Sequence, residues 1–284
     1  MLASVLRHRL GAAALAVLGV MVLLAVFGPL LAPYDPLAQD ASALLQGPSA
    51  AHWLGTDDLG RDTASRLLSG STLSLVAAVE AVAVGLVLGV VPGLLSVYLG
   101  RAFEWITLRL MDSFVTLPFL VFAVAMSALL GNGLHQAMLA VGILLSPAFY
   151  RVSRAAAFPV ASAAFVEAAR LSGAPAGFVL RRHVWPKVVP AVAISTASLL
   201  GASLVIVSSL TFLGIGIQPP APTWGGLLAT DLQFLYDQPW APFVPAALIM
   251  LTVGACNGLA DVLRDVTGQP ARRSRARSWR TVDA

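Results

Sequence analysis

The sequence predicts an all-α membrane protein with six transmembrane helices and both termini in the cytoplasm. Three observations predict it. The first is composition: of 284 residues, 58% are hydrophobic and 11% charged, against about 45–50% and about 25% in soluble domains. The second is a set of long stretches without Asp, Glu, Lys or Arg: 10–34, 81–100, 113–150, 188–230 and 238–260. A spanning helix needs roughly 20 mostly apolar residues. The third is where the positive charge falls. With six spans, every one of the 18 Lys and Arg residues except Arg61 and Arg66 lands on one face, and cytoplasmic loops collect basic residues.

The elements follow in chain order. Residues 1–9 form a cytoplasmic N-terminus, and 10–31 the first span. Arg7, His8 and Arg9 before an apolar run resemble a signal peptide, but the run exceeds the 7–15 residues of an h-region and no A-x-A-type site follows. It reads as a retained helix. An external segment, 32–71, contains Thr56, Asp57 and Asp58 as turn and helix-start residues, then "RDTASRLL" as a short helix. Asp–Arg pairs among Asp57, Arg61, Asp62 and Arg66 would make this an outer elbow.

The remaining spans are expected at roughly 72–98, 108–130, 134–152, 188–213 and 242–262, a five-helix core over 72–264. Gly85, Gly89 and Gly93 recur every four residues and place small surfaces on one face of the second span. Glu80 is the one carboxylate embedded in an expected span; such acids are costly and often functional. Arg109 and Asp112, three apart, can pair on one helix face. "GNG" at 131–133 separates the third and fourth spans. Hydroxyls stud the fifth span, Ser203 and Ser208 among them. They can back-bond to their own helix or line a polar path, and Glu80, Ser203 and Ser208 are the candidates for a translocation path. "GIGIQPPAPTWGG" ends the fifth span and opens an external loop over 214–241.

The tail, 265–284, reads "ARRSRARSWR" near its end. Its charge and the pI near 9.8 follow from topology without nucleic acid. A basic flank at an anionic leaflet, with Trp279 at the headgroups, accounts for them. Four scattered histidines and one cysteine, Cys256 inside the last apolar run, show no metal-ligand spacing. The single lysine, Lys187, lies far from any G-x-x-x-x-G-K-[ST] loop, so no nucleotide cradle is expected in this chain.

Between the fourth and fifth spans, on the cytoplasmic side, runs "FVEAARLSGAPAGFVLRRHVWPKVVP" (165–190). Its charges would cost about 3 kcal/mol each at the bilayer centre, so it stays outside. "FVEAARLSGA" reads as a short helix with Glu167 in its first turn, where it suits the dipole. Gly173 stops it and Pro175 discourages continuation. A second short helix, "AGFVLRRHV", follows, and Pro186 opens the fifth span. The product is a helix–turn–helix within 159–187. Its small first helix could fit a groove on another protein, although an amphipathic connector on the membrane surface has the same composition.

The pattern E-A-A, three residues, Gly, nine residues, H-V-W-P resembles the EAA loop of ABC-importer permease subunits. It is carried here by Glu167, Ala168, Ala169, Gly173, His183 and Pro186, with Arg170 beside them. "HWLGTDDLGRDTASRLLSG" (52–70) is similar to the outer segment of the dipeptide/oligopeptide/nickel permease family. "LTFLGIGIQPPAPTWGGLL" (210–228) resembles the signature after that family's fifth span, and "NGLADVLRD" (257–265) its ending. The long segment after the first span matches the C-type partner of the two permeases in such systems.

That resemblance implies a type I ABC-importer-like permease in a bacterial or archaeal cytoplasmic membrane. Its partners would be a second homologous permease, two cytosolic ATPase subunits, an extracytoplasmic substrate-binding protein and membrane lipids. The loop around Glu167–Gly173 would be the coupling helix. Thr56, Asp57, Gly60, Arg61, Asp62 and Arg66 would help to receive the binding protein. The chain would bind no cofactor itself, with ATP and magnesium on the partner ATPases. The solute would be a di- or oligopeptide, with a nickel chelate or another small solute as the alternative. A self-contained secondary transporter or channel is the rival class, but it should show paired ionisable groups within spans or helices broken in two repeated halves. An intramembrane enzyme would need a His/Asp/Ser set at matched depth, and none is evident.

Overall fold

The computed structural model describes residues 2–131, 133–217 and 219–268. They form helices α1 (Leu2–Arg7), α2 (Arg9–Leu31), α3 (Thr63–Leu95), α4 (Gly100–Thr116), α5 (Phe119–Leu130), α6 (Leu134–Ala161), α7 (Ala164–Leu171), α8 (Ala176–Val179), α9 (Trp185–Phe212), α10 (Trp224–Gln233) and α11 (Phe243–Val266). No strand occurs among the described residues; Thr56 and Asp62 make an isolated bridge. The basic tail from residue 269 onward lies outside the described residues.

Four helical runs are long and apolar enough to cross a membrane: Arg9–Leu31, Thr63–Leu95, Ala176–Phe212 and Phe243–Val266. The α4–α5 pair becomes a fifth if counted as one broken span. Helix α6 has the length, 28 residues, but His135, Gln136, Arg151 and Arg154 make it more polar.

Three elements differ from the expected pattern. The short helix expected after Gly60 and the expected second span are one helix, α3, of 33 residues. The charges of its first turn do not end it, because Asp62 caps it and Arg66 is buried among partners. The third span is bent by 98° between α4 and α5. Pro118 is the cause: a proline disfavours the α conformation in the residue before it, and Leu117 is extended at φ −74°, ψ 128°. The second helix expected within 159–187 is not separate from the expected fifth span. Residues 180–184 form a π turn that joins α8 to α9, giving one run of 37 residues, Ala176–Phe212.

The core sits between α3 and α6. Gly85, Gly89 and Gly93 are buried on α3 and let α6 approach to backbone contact. A Cβ at position 85 would lie 2.9 Å from the Leu145 Cβ, and one at 89 would overlap the Ser146 carbonyl oxygen. Gly142 of α6 answers against Val84. Lipid tails are as apolar as leucine, so close packing of this kind, rather than water exclusion, holds membrane helices together. Phe149 and Tyr150 of α6 are fully buried, and the Tyr150 hydroxyl pairs with Thr107 Oγ1 at 2.9 Å, tying in α4. Helix α9 packs on α3, α6 and α11, and α2 lies over α3 and α11.

Candidate coupling helix and outer elbow

Helix α7 is short and mostly exposed; Val166 is its buried residue. Its end is fixed by the backbone. The Gly173 N–H donates to Arg170 O at 2.9 Å and the Ala174 N–H to Ala169 O at 3.1 Å, the paired bonds of a Schellman stop. Gly173 holds φ +84°, where a side chain is strained. A Cβ there would meet nothing within 4 Å, so the glycine serves the turn and not close packing.

Three contacts hold α7 to its surroundings. Val166 is fully buried, as are Val179 and Val184 of the adjoining run. The His183 ring lies between Phe165 and Phe178, with centroids at 5.9 and 6.0 Å. The Arg170 guanidinium sits 5.1 Å over the Tyr98 ring, just beyond α3. Glu167 and Ala168 stay exposed and Ala169 is half-buried, while Leu171 is 84% exposed. Pro186 is exposed just after the π turn, where the Trp185 N–H bonds to Leu180 O and the hydrogen-bond ladder is shifted by one residue.

At the other end, the elbow is a buried charge network. Asp57 accepts from Arg61 Nε at 2.7 Å and from the Arg61 and Leu59 backbone N–H groups at 2.9 and 3.0 Å. Arg66 Nε stands 3.2 Å from the same carboxylate, and Arg66 Nη1 donates to Pro36 O at 3.1 Å. Asp62 caps α3 by accepting from the Ser65 N–H at 2.7 Å, and its other oxygen pairs with His52 Nδ1 at 2.9 Å. Thr56 Oγ1 donates to Ala43 O, and Gly60 takes φ +73° against the Asp40 backbone. Asp57, Arg61, Asp62 and Arg66 are all buried; Asp57 offsets Arg61 and faces Arg66, while Asp62 is held by His52 and Ser65 and not by an arginine.

Distant segments complete this elbow, through residues that local patterning does not single out. Gln238 Nε2 donates to Gln46 O and Thr56 O, both at 3.0 Å. Trp224 is fully buried; its backbone N–H donates to Ser74 Oγ at 2.9 Å and its Nε1 to Ser71 Oγ at 3.2 Å. Thr223 caps α10, and Gly225 passes so close to α9 that a Cβ would overlap the Ser208 carbonyl oxygen. "PTWGG" thus reads as cap, anchor and close approach.

Asp231 of α10 is also buried, and its Oδ2 has no hydrogen-bond partner. Burial pushes its carboxyl up to about 6; Asp57 and Asp58 add to the rise and Arg66 opposes it. A carboxyl raised in the folded state destabilises when ionised. That cost is present above pH 6 and disappears as pH falls toward the unfolded value. Asp231→Asn is therefore expected to melt higher than the parent at pH 8, by up to about 3 kcal/mol. The gap should close by pH 4. Thermal unfolding in detergent across this range checks it, and a pH-independent gap would contradict the cause given.

Glu80 pairs with His135 Nδ1 at 2.9 Å, joining α3 to the start of α6. Ser203 is buried and donates to Ala78 O at 3.1 Å; Ser208 is buried with its hydroxyl unpartnered. Arg109 and Asp112 do not pair with each other: Asp112 bonds Arg151 at 3.1 Å, while Glu104 bonds Arg154. Among the described residues no cluster of three or more His, Cys, Asp or Glu could hold a metal.

The family described as "Binding-protein-dependent transport system inner membrane component" matches residues 81–266. The "N-terminal TM domain of oligopeptide transport permease C" matches residues 2–48. The probable D,D-dipeptide transport system permease DdpC of Escherichia coli K12 is 37% identical over 87% of this chain and 83% of its own. The dipeptide permease DppC of Alkalihalophilus pseudofirmus is 34% identical, over 91% and 85%. The glutathione permease GsiD of Pectobacterium atrosepticum is 37% identical, over 91% and 86%. Among solved structures, the inward-facing MetNI methionine ABC transporter aligns with a TM-score of 0.57 at 19% identity, covering 71% of this chain and 96% of that one. Fold, motifs and relatives agree: the chain belongs to the binding-protein-dependent transport inner membrane component family, the permease subunits of ABC importers.

Proposed function

We propose that this permease carries di- or oligopeptides inward across the bacterial cytoplasmic membrane, driven by two separate cytosolic ATPase subunits. The names of its relatives support the solute class. In this reading α2, α3, α4–α5, α6, α9 and α11 are six crossings with both termini cytoplasmic. A second, homologous permease completes the path, and a substrate-binding protein delivers solute near the elbow, where Trp53 and Leu59 are exposed. ATP and magnesium belong to the partner ATPases.

The observation that carries the reading is the mounting of α7. A knob can pass on motion only if its own position is fixed, because a ligand shifts an equilibrium solely through differential contacts with its states. Here the knob is stopped by Gly173, clamped through His183 and Arg170, and joined by a short turn to the run Ala176–Phe212 that contains α8, the π turn and α9. Closure of the ATPase pair would push α7 and tilt α9, reopening the path on the other side.

The test is purification in mild detergent followed by reconstitution. A P-loop ATPase should accompany the permease stoichiometrically, and peptide uptake should require ATP on the α7 side. Uptake by vesicles lacking any ATPase would overturn the assignment.

A further inference from the structure

We infer that Tyr98, in the turn between α3 and α4, receives the movement of α7 and delivers it to the α3–α6 pair. This deepens the proposed function and rests on it: there the thrust runs along the chain into α9, and here a second route leaves the knob sideways. Arg170 stands in the last turn of α7, and its guanidinium lies 5.1 Å over the Tyr98 ring. The contact joins elements far apart in sequence, so a displaced α7 either carries the ring along or loses the stack.

The turn that holds Tyr98 is tied tightly to α3. The Tyr98 N–H donates to Leu95 O at 2.9 Å and the Ser96 N–H to Pro92 O at 2.8 Å. Ser96 is buried, and its Oγ donates to Gly93 O at 2.8 Å. Val97 and Tyr98 pack on the core cluster that joins Val90 and Leu94 of α3 to Phe149 and Ala157 of α6. At this level Gly93 admits α6 to close contact, since a Cβ there would lie 2.9 Å from Tyr150 O. Helix α4, which follows the turn, is fastened to α6 by the Glu104–Arg154 pair and by Thr107 on the Tyr150 hydroxyl. The cytoplasmic ends of α3, α4 and α6 therefore form one packed unit, and Arg170 reaches it at Tyr98. The ring carries the contact: the Tyr98 hydroxyl is buried without a hydrogen-bond partner. Arg170 is exposed, and a guanidinium over an aromatic face at an exposed site biases an equilibrium about two- to fivefold. Such a contact is strong enough to steer α3 and weak enough to be remade in each cycle.

The test uses the assembled transporter, with ATPases and binding protein, in vesicles supplied with radiolabelled di- and tripeptides. Peptide imported per ATP hydrolysed is the readout. Tyr98→Leu should keep the ATPase bound and hydrolysing but lower this ratio at least about threefold. Tyr98→Phe should retain the parent ratio. Arg170→Gln should lower it as far as Tyr98→Leu, and the two together no further, because both remove one contact. A merely structural role would lower uptake and hydrolysis together. A parent-like ratio in Tyr98→Leu, a Tyr98→Phe as poor as Tyr98→Leu, or additive losses would overturn the inference. Should Tyr98→Leu fail to assemble, nitroxides on Leu99→Cys and Ala164→Cys, both exposed positions, decide it with Tyr98 intact and Cys256→Ser. Their separation should hold when ATP and vanadate close the ATPases, and a change would overturn the inference. An unchanged ratio in Tyr98→Leu leaves ATP-driven uptake standing, whereas ATP-independent uptake by the parent would remove the proposed function itself.

Discussion

Valine at position 89 is expected to abolish the packed permease. Gly89 meets α6 at its backbone: a Cβ there would overlap the Ser146 carbonyl oxygen and come 2.6 Å from the Phe149 Cβ. Phe149 and Ser146 are themselves fully buried, so neither can swing aside. Overpacking a core costs about 1–3 kcal/mol, occasionally more. The obstacle here is backbone, and it separates the most extensive helix pair among the described residues, which places this substitution at the top of that range. Gly19→Val is the control, since a Cβ there meets nothing within 4 Å. Monodispersity on size exclusion and the unfolding temperature should fall sharply for Gly89→Val and stay near the parent for Gly19→Val. Equal behaviour of the two would mean that α3 and α6 do not interdigitate as described.

The second large effect concerns α7. Glu167→Arg reverses an exposed charge in the first turn, where an anion suits the helix dipole and a cation opposes it. Gly173→Asp puts a side chain at φ +84°, at a cost of about 1–2 kcal/mol, and disturbs the stop that fixes the knob's length. Losing a charged group at an interface costs about 2–5 kcal/mol when its partner is left buried, so Glu167→Arg should weaken ATPase retention by at least about tenfold, and Gly173→Asp should add to that loss by displacing the end of the knob. Together they should leave permease without ATPase after purification, with peptide uptake lost. The ATPase alone should still hydrolyse ATP. Full retention of the ATPase by the double variant would show that α7 is not the gripped element.

The stop at Gly173 was legible in "LSGAP" because a helix end is local chemistry: glycine at positive φ, then proline. The apolar runs were legible for a similar reason, since a bilayer demands about 20 apolar residues whatever the tertiary arrangement. The glycine spacing of α3 marked a contact face but could not say that α6 fills it. Residues 61–66 read as a surface helix because charged residues are seldom buried. Burial became possible once Asp57 could accept from Arg61 and face Arg66, and once Gln238 closed the elbow from far along the chain. The bend at Pro118 had a local signal in "TLPF", outweighed by the uncharged run around it.

Trp224, Asp231 and the choice of His135 as the partner of Glu80 had no such local signal, because each depends on groups 55 or more positions away. Family, helix content and the stop of α7 were set by the sequence alone, since lipid solubility and backbone capping act over a few turns. The continuity of α3, the raised carboxyl of Asp231 and the mounting of α7 on Tyr98 were decided by tertiary structure. Desolvation and packing depend on which distant surfaces meet.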